Sequence, residues 1–431
     1  MRFYFEQSKS EIITANAGLA IVGDKLSKVK ALTQQMRQIA KRHGIANIDL
    51  VRSYIGLLVQ GKNDFEALEA YRHDEFFKRA MHIKQMPSES RLRQRFDEDA
   101  LPLKEALVAT LPDLFLSLGI QPGAMSGGWV PLDVDLYPLD NSRTQKEGVE
   151  RTYKGFDGYG ALAAYLGTEG WSLLNDLRRG SQHPQKQFQE TLKDVVATAR
   201  KIAPERKFLL RADAAHDANA TLRTCSELDL DYIIRWNPRK TDVQEVYETH
   251  QSHWVWEEIR PGQRIGYSEE IVEMDKRHTR LVFRIIETTE TKNGQKFLIP
   301  ERVLCGWWTN ISSSILPPKA VAKYYRDHAI CEQFHSEFKT DMDLERLPSG
   351  KFQTNQLVMP KPRFSSTGKS RWRPAALSSS KFWVLRVPIC SITPVGFPVI
   401  SRASWISRTC MSWVTSMAMT LMPYLPASSN T

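Results

Sequence analysis

Apolar residues recur at three- and four-residue spacing through the first quarter of the chain. The pattern predicts helices over Ala31–His43, Ile48–Gln60, Asp64–Arg79 and Leu103–Leu118. Between them, Pro87-Ser88-Glu89-Ser90 opens a basic helix, Arg91-Leu92-Arg93-Gln94-Arg95-Phe96, with a serine placed to cap it. A capped helix with three arginines suits a helix-turn-helix reader of DNA, although a solvated basic face in a plain bundle gives the same pattern. Past Gly127-Gly128 the period changes to that of strands. Trp129–Tyr137, Gly160–Leu166 and Trp171–Leu177 read as strands, the last two joined by the hairpin signal Gly167-Thr168-Glu169-Gly170. Helix Gln187–Ile202, strand Lys207–Asp213, a short helix Leu222–Leu228 and strand Asp231–Trp236 follow. This order predicts an α/β unit with a mixed sheet.

From about residue 240 the grammar shifts again. Trp254–Trp256, Arg264–Tyr267, Arg280–Ile286, Phe297–Ile299 and Val303–Trp308 are short strand candidates, which predicts a β-rich insertion or small domain. A long helix should then run from Pro317 to about Met342. These shifts divide the chain into 1–125 (helical, DNA-end-binding), 126–238 (first part of the core), 239–312 (β-rich insertion), 313–359 (last core helix) and 360–431 (tail).

Charge alters this picture mainly at the end of the chain. The formal charge of +10 suggests an acidic partner. Yet residues 360–431 hold nine Lys and Arg and no acid, which leaves 50 basic against 49 acidic residues in the remainder. Any DNA-binding surface on the body must come from local patches. The tail also lacks Gln and His, carries 14 Ser and four Trp, and is broken by eight prolines. It reads as an out-of-frame translation after a frameshift, expected to be disordered; a genuine basic DNA-binding tail is the alternative. With 42% hydrophobic and 25% charged residues, no apolar run of membrane length and no N-terminal secretory signal, the chain reads as globular and cytoplasmic. The five cysteines form no CxxC pair, so they read as reduced thiols.

The candidate chemistry is carboxylate chemistry. Asp133 and Asp135 share one face of a strand, Asp213 ends another, and Glu332 lies mid-helix. Converging carboxylates make an oxygen-rich site for Mg²⁺ or Mn²⁺, and two such ions suit phosphodiester cleavage. Tyr325, His328, Glu332 and Lys339 fall on one helical stripe, with Ile330, Phe334 and Phe338 roughly opposite and expected to face the core.

The stretch from Tyr325 to Lys339 resembles the Tyr-x2-Arg-x3-Glu-x6-Lys signature of DDE transposases from bacterial insertion sequences, those with a β-rich insertion before the Glu. Leu132-Asp133-Val134-Asp135 is similar to their first-Asp strand and Leu210-Arg211-Ala212-Asp213 to their second; Gly155–Tyr159 and Leu347–Gly350 match in kind. The resemblance covers roughly residues 1–359. It implies an RNase H-like core in which Asp135, Asp213 and Glu332 hold two Mg²⁺ (or Mn²⁺) ions, with Asp133 as the alternative first ligand. It implies cutting at the element's terminal inverted repeats, transfer of the freed 3′ end into target DNA, and a homodimer on DNA. Tyr325, His328 and Lys339 would touch the strand near the cut, while Arg91, Arg93 and Arg95 would bind DNA from the helical region. Trp307 or Trp308 either stacks a flipped base or packs in the core. Position 328 departs from the signature, His standing for Arg, which should weaken the handling of DNA ends in this copy. A non-catalytic DNA-binding remnant and a DDE-like nuclease are the competing readings.

Overall fold

The computed structural model describes residues 14–40, 44–274, 277–291 and 293–359; the tail from 360 and the N-terminal 13 residues lie outside them. The expectations of a disordered, frameshifted tail and of a leaderless N-terminus therefore fall outside the described residues.

Among the described residues seven helices come first: α1 (Gly18–Lys28), α2 (Lys30–Gln38), α3 (Asn47–Val59), α4 (Glu75–Ala80), α5 (Glu89–Glu98), α6 (Ala100–Ala109) and α7 (Leu111–Ser117). Two expected helices are each split. Pro112 cannot continue a helix from the preceding turn, so Leu103–Leu118 divides at Thr110 into α6 and α7. Asp64–Arg79 becomes a 3₁₀ segment, Phe65–Tyr71, and α4, because Asp74 turns its carboxylate onto Phe77 N at 3.0 Å and starts a new helix. Ser88 caps α5 as its sequence suggests, accepting from Arg91 N at 3.3 Å.

The arginines of α5 do not form a common basic face. Arg91 is exposed, but Arg93 is paired with Glu89 at 2.6 Å and lies over the Phe65 ring. Arg95 is only 1% exposed, held by Asp99 at 2.9 Å and by Asn47. Arg95, expected to bind DNA, thus has its charge paired within the core. Arg95→Ala should remove a buried guanidinium bonded to Asp99 and Asn47 and cost roughly 3–5 kcal/mol of stability. Urea unfolding checks this, and an unchanged midpoint would contradict it.

One sheet contains the ten strands of the described residues: β1 (Trp129–Asp140), β2 (Glu150–Arg151), β3 (Asp157–Leu166), β4 (Trp171–Arg179), β5 (Lys207–Ala212), β6 (Asp231–Arg235), β7 (Val255–Arg260), β8 (Gln263–Met274), β9 (Arg277–Glu290) and β10 (Lys296–Thr309). The order is β2-β3-β1-β5-β6-β10-β9-β8-β7, with β4 also on β3. β1, β5 and β6 are mutually parallel and the other pairings antiparallel. The β-rich segment is therefore no separate sheet. It enters the core sheet through β10, where Trp307 pairs with Arg235 and Trp308 with Ile234. Its strands are also longer than the short runs their breaks suggested; β9 and β10 have 14 residues each. Cross-strand hydrogen bonding carries them through polar stretches that weaken the alternating pattern.

Side chains on the two sheet faces alternate, so each face has its own cover. Val130, Leu132, Val134, Leu210, Ala212 and Ile234 pack under α7, α8 (Phe188–Ile202), α9 (Asn219–Glu227) and α10 (Val243–Thr249). The opposite face meets the N-terminal helices, α11 (Pro318–Arg326), α12 (Cys331–Ser336) and α13 (Phe352–Val358). The N-terminal helices share this core with Tyr137, Leu139, Phe334 and Phe338. α11 and α12 belong to one helical run from 318 to 341, tightened to 3₁₀ at Asp327–Ile330 and widened to a π turn at Glu337–Asp341. Its approach is close. Gly170 in the β3–β4 turn, at φ +67°, leaves room for the Phe334 ring, which a Cβ there would meet at 2.1 Å. Cys331, Phe334 and Phe338 are buried as an inward face requires, but Ile330 is 38% exposed, contrary to expectation.

Candidate active site

The parallel register brings the sheet's carboxylates into rows. Asp133 pairs with Arg211, Arg211 with Ile233, and Val134 with Ala212, Ala212 with Ile234. One residue past this last registered pair come Asp135 and, just beyond β5, Asp213, near enough that the charge of Asp213 acts on Asp135; alternation puts both on the face that carries Asp133 and Arg211. Asp135 lies inside β1, not at its end. β1 continues to Asp140, and Asp135 marks where parallel pairing with β5 stops while antiparallel pairing with β3 runs on opposite Ala163.

The two rows differ in chemistry. Asp133 is 1% exposed, and Arg211 holds both of its oxygens, at 2.6 and 2.7 Å. His328 adds Nδ1 at 2.9 Å from Oδ1. Burial pushes the Asp133 carboxyl up, but the bond from His328 and the charge of Arg211 outweigh it and hold the group below its usual range. Asp133, His328 and Cys331 place ligand-type atoms within 4.8 Å of one another. We read this trio as a hydrogen-bonded strut, because the guanidinium already neutralises Asp133 and would repel a cation there. Burial also pushes the Cys331 thiol far up, leaving it a poor ligand.

Among the described residues no arginine or lysine pairs with Asp135. Its Oδ1 accepts from Leu136 N at 2.8 Å. Burial, and next the charge of Asp213, push its carboxyl above the usual range. Asp213 is partly exposed, and Nδ1 of fully buried His216 lies 2.6 Å from its Oδ1. Burial raises the Asp213 carboxyl too, but the His216 bond and charge prevail and hold it low. Two adjacent carboxylates of which one is pushed up and the other held ionised form an oxygen-rich place suited to a hard divalent cation.

The helical run lies across this pair. His328 touches Asp133, and His335 Nε2 lies 3.8 Å from Asp135 Oδ2. Burial, then the charges of Lys339 and His328, push His335 down to about 3, so its ring is neutral. Glu332 sits between these two histidines on the same stripe and is itself exposed. The stripe read as polar therefore faces the sheet through His328 and His335. His328, expected to touch the DNA strand, is 6% exposed and bonded to Asp133. Lys339 is at the far end, 3.5 Å from Glu345 and over the Tyr137 ring. Tyr325 is half-buried between Trp307 and His328; burial and then the charge of Asp213 push its hydroxyl well up, which places it beside the pair.

Several residues that the sequence did not single out line the same place. Tyr153 is 62% exposed and is pushed to about 12 by burial and by the charges of Asp135 and Asp213. Arg235 follows Ile234 on β6, one strand from Asp213, with its guanidinium 5.2 Å from the Trp307 ring centre. Trp307 and Trp308 are 2% and 8% exposed, buried with the sheet. His216 and His335 had a local signal, each three residues after a candidate carboxylate. Arg235 had none, since only strand register brings it here.

Among the described residues no helix is long and apolar enough to cross a membrane. Comparison with curated proteins finds no match. Among solved structures, the chain is similar to a piggyBac transposase in a synaptic complex with hairpin DNA, 12% identical over 79% of this chain and 72% of that one, at a TM-score of 0.35. Residues 11–360 match the family described as Transposase DDE domain group 1. The match takes in every carboxylate described above and most of the chain, which therefore belongs to the Transposase DDE domain group 1 family.

Proposed function

We propose that the chain is an insertion-sequence transposase that cuts DNA at element ends and joins the freed 3′ end to target DNA. The carrying observation is the Asp135–Asp213 pair, one residue past the last parallel pair and close enough to interact by charge, while Arg211 neutralises Asp133. In this reading the mixed sheet is an RNase H-like core. Asp135, Asp213 and Glu332 hold Mg²⁺ or Mn²⁺, two ions in all. Bound there, the ions supply the charge that favours attack of water or a 3′-hydroxyl on phosphorus and stabilises the leaving oxygen.

The chain's own residues do the rest. His216 fixes Asp213 through Nδ1. The neutral His335 ring and the Arg211–Asp133–His328 strut set the helix over the sheet, and with it the height of Glu332. Tyr325, Tyr153 and Arg235 border the pair on sides where a DNA strand can lie, and Lys339 extends that line. Arg235 gives a phosphate the guanidinium that position 328 lacks. The DNA partners are terminal inverted repeats and target DNA, with two copies of the chain holding two ends.

The test is cleavage and strand transfer by the full chain on DNA carrying the element's flanking repeats, with Mn²⁺ or Mg²⁺ and with chelator. Cation-dependent nicking followed by joining supports the reading. Nicking without joining leaves a nuclease, and binding without nicking leaves a non-catalytic remnant. Arg235→Ala should weaken DNA binding at all sequences alike and lower the slope of log K against log salt by about one. An unchanged slope would remove Arg235 from the strand path.

A further inference from the structure

We infer that His335 supplies a nitrogen ligand to the cation held by Asp135, so that the site prefers Mn²⁺ to Mg²⁺. The inference rests on reading Asp135 and Asp213 as the ion-holding pair, and it adds a donor that this pair does not require.

His335 is 6% exposed, and its Nε2 finds no hydrogen-bond partner among the described residues. A buried polar atom left unpaired costs roughly 1–3 kcal/mol, so such atoms are rare without a use. The atom faces Asp135 Oδ2 at 3.8 Å. That is too long for a hydrogen bond. It suits two donors on one ion: bonds of about 2.1 Å each place the donor atoms roughly 3–4 Å apart. The ring is also fixed in place. It stacks on Tyr137 at 4.2 Å between centroids and 26° between planes, with Tyr165 at 5.6 Å on another side. Glu332 lies almost one turn before it in the same helical run and is exposed.

The donor set sets the preference. Mg²⁺ favours oxygen ligands in near-ideal octahedral geometry and sheds water reluctantly. An imidazole in the set favours a transition-metal ion.

The test uses the full chain with Mn²⁺ alone, read by pulsed electron paramagnetic resonance for nitrogen coupling. The variants are His335→Phe, which keeps a ring on Tyr137 but no nitrogen, and Asp213→Asn. The expected result is imidazole ¹⁴N coupling in the unaltered protein that shifts on ¹⁵N-histidine labelling and is lost in His335→Phe. Mn²⁺ affinity should fall about ten-fold in that variant, and Mg²⁺ affinity by less than about two-fold. The labelling experiment needs no variant, so a poorly folded His335→Phe does not block the test: a labelled protein without histidine coupling overturns the proposal. Mn²⁺ binding that depends on Asp213, with coupling unchanged in His335→Phe, also overturns it and leaves the carboxylate site standing. Mn²⁺ binding indifferent to Asp213→Asn overturns both.

Discussion

Asp135→Asn should stabilise the cation-free protein at neutral pH and abolish the stabilisation that Mn²⁺ or Mg²⁺ confers. In the folded chain burial, and then the charge of Asp213, raise the Asp135 carboxyl above its usual range. A carboxyl raised on folding holds its proton more tightly in the folded state, so ionising it costs stability. That cost is present at pH values above the raised folded value. It shrinks as pH falls and is gone below the unfolded value near ~3.9. The Asn variant should therefore gain stability at pH 7 and none at pH 3. Cation reverses the ranking. An ion that binds only the folded state adds about 2.7 kcal/mol at one hundred times its Kd, a gain that should pass to the unaltered protein and not to Asp135→Asn. Strand cleavage in the variant should drop on the order of 10⁴-fold. Thermal unfolding across pH, with and without Mn²⁺, reads the first two effects. A variant less stable than the unaltered protein at pH 7 without cation, or one equally stabilised by cation, would remove Asp135 from the ion site.

How far the sequence revealed the fold depended on the range of the forces involved. Lys207–Asp213 is an apolar run ending in a carboxylate, and it is β5 with Asp213 just beyond it. The hairpin glycines sit where β3 turns into β4. These features are local. The β-rich segment was visible as strands but not as an extension of the core sheet, because the pairing of β10 with β6 joins residues 72 or more positions apart. Arg235 was hidden for the same reason. Polarity misled in two places. Arg95 looks like a surface charge on a basic helix, yet Asp99 and Asn47 are built to receive it. Tyr325, His328, Glu332 and Lys339 make the helix's stripe look solvent- or DNA-facing. That stripe turns inward because the sheet beneath carries Asp133 and Asp135, and buried carboxylates need polar neighbours. Ile330 is correspondingly left outside. An amphipathic pattern gives the inner face only when what lies beneath is apolar.

Arg211→Met should be among the most destabilising single changes in the sheet, at roughly 3–5 kcal/mol. Arg211 is 3% exposed, both oxygens of Asp133 are bound to it, and its Nη1 donates to the Tyr324 carbonyl of α11 at 2.7 Å. Removing it leaves Asp133 buried with His328 alone and frees the end of the helical run that carries Glu332. Asp133→Leu combined with Arg211→Met should recover much of the loss, since replacing both members of a buried pair by apolar groups is often neutral, whereas removing one is not. Cleavage should not recover in parallel, because the double variant still lacks the bond that ties α11 to the sheet. The cycle also separates two views of Asp133. If Asp133 is a strut, cation-induced stabilisation should survive in the double variant, as Asp135 and Asp213 are intact. If Asp133 is the first metal ligand, the double variant should lose that stabilisation altogether. Urea unfolding of the four proteins, each with and without Mn²⁺, measures both the coupling and the cation response.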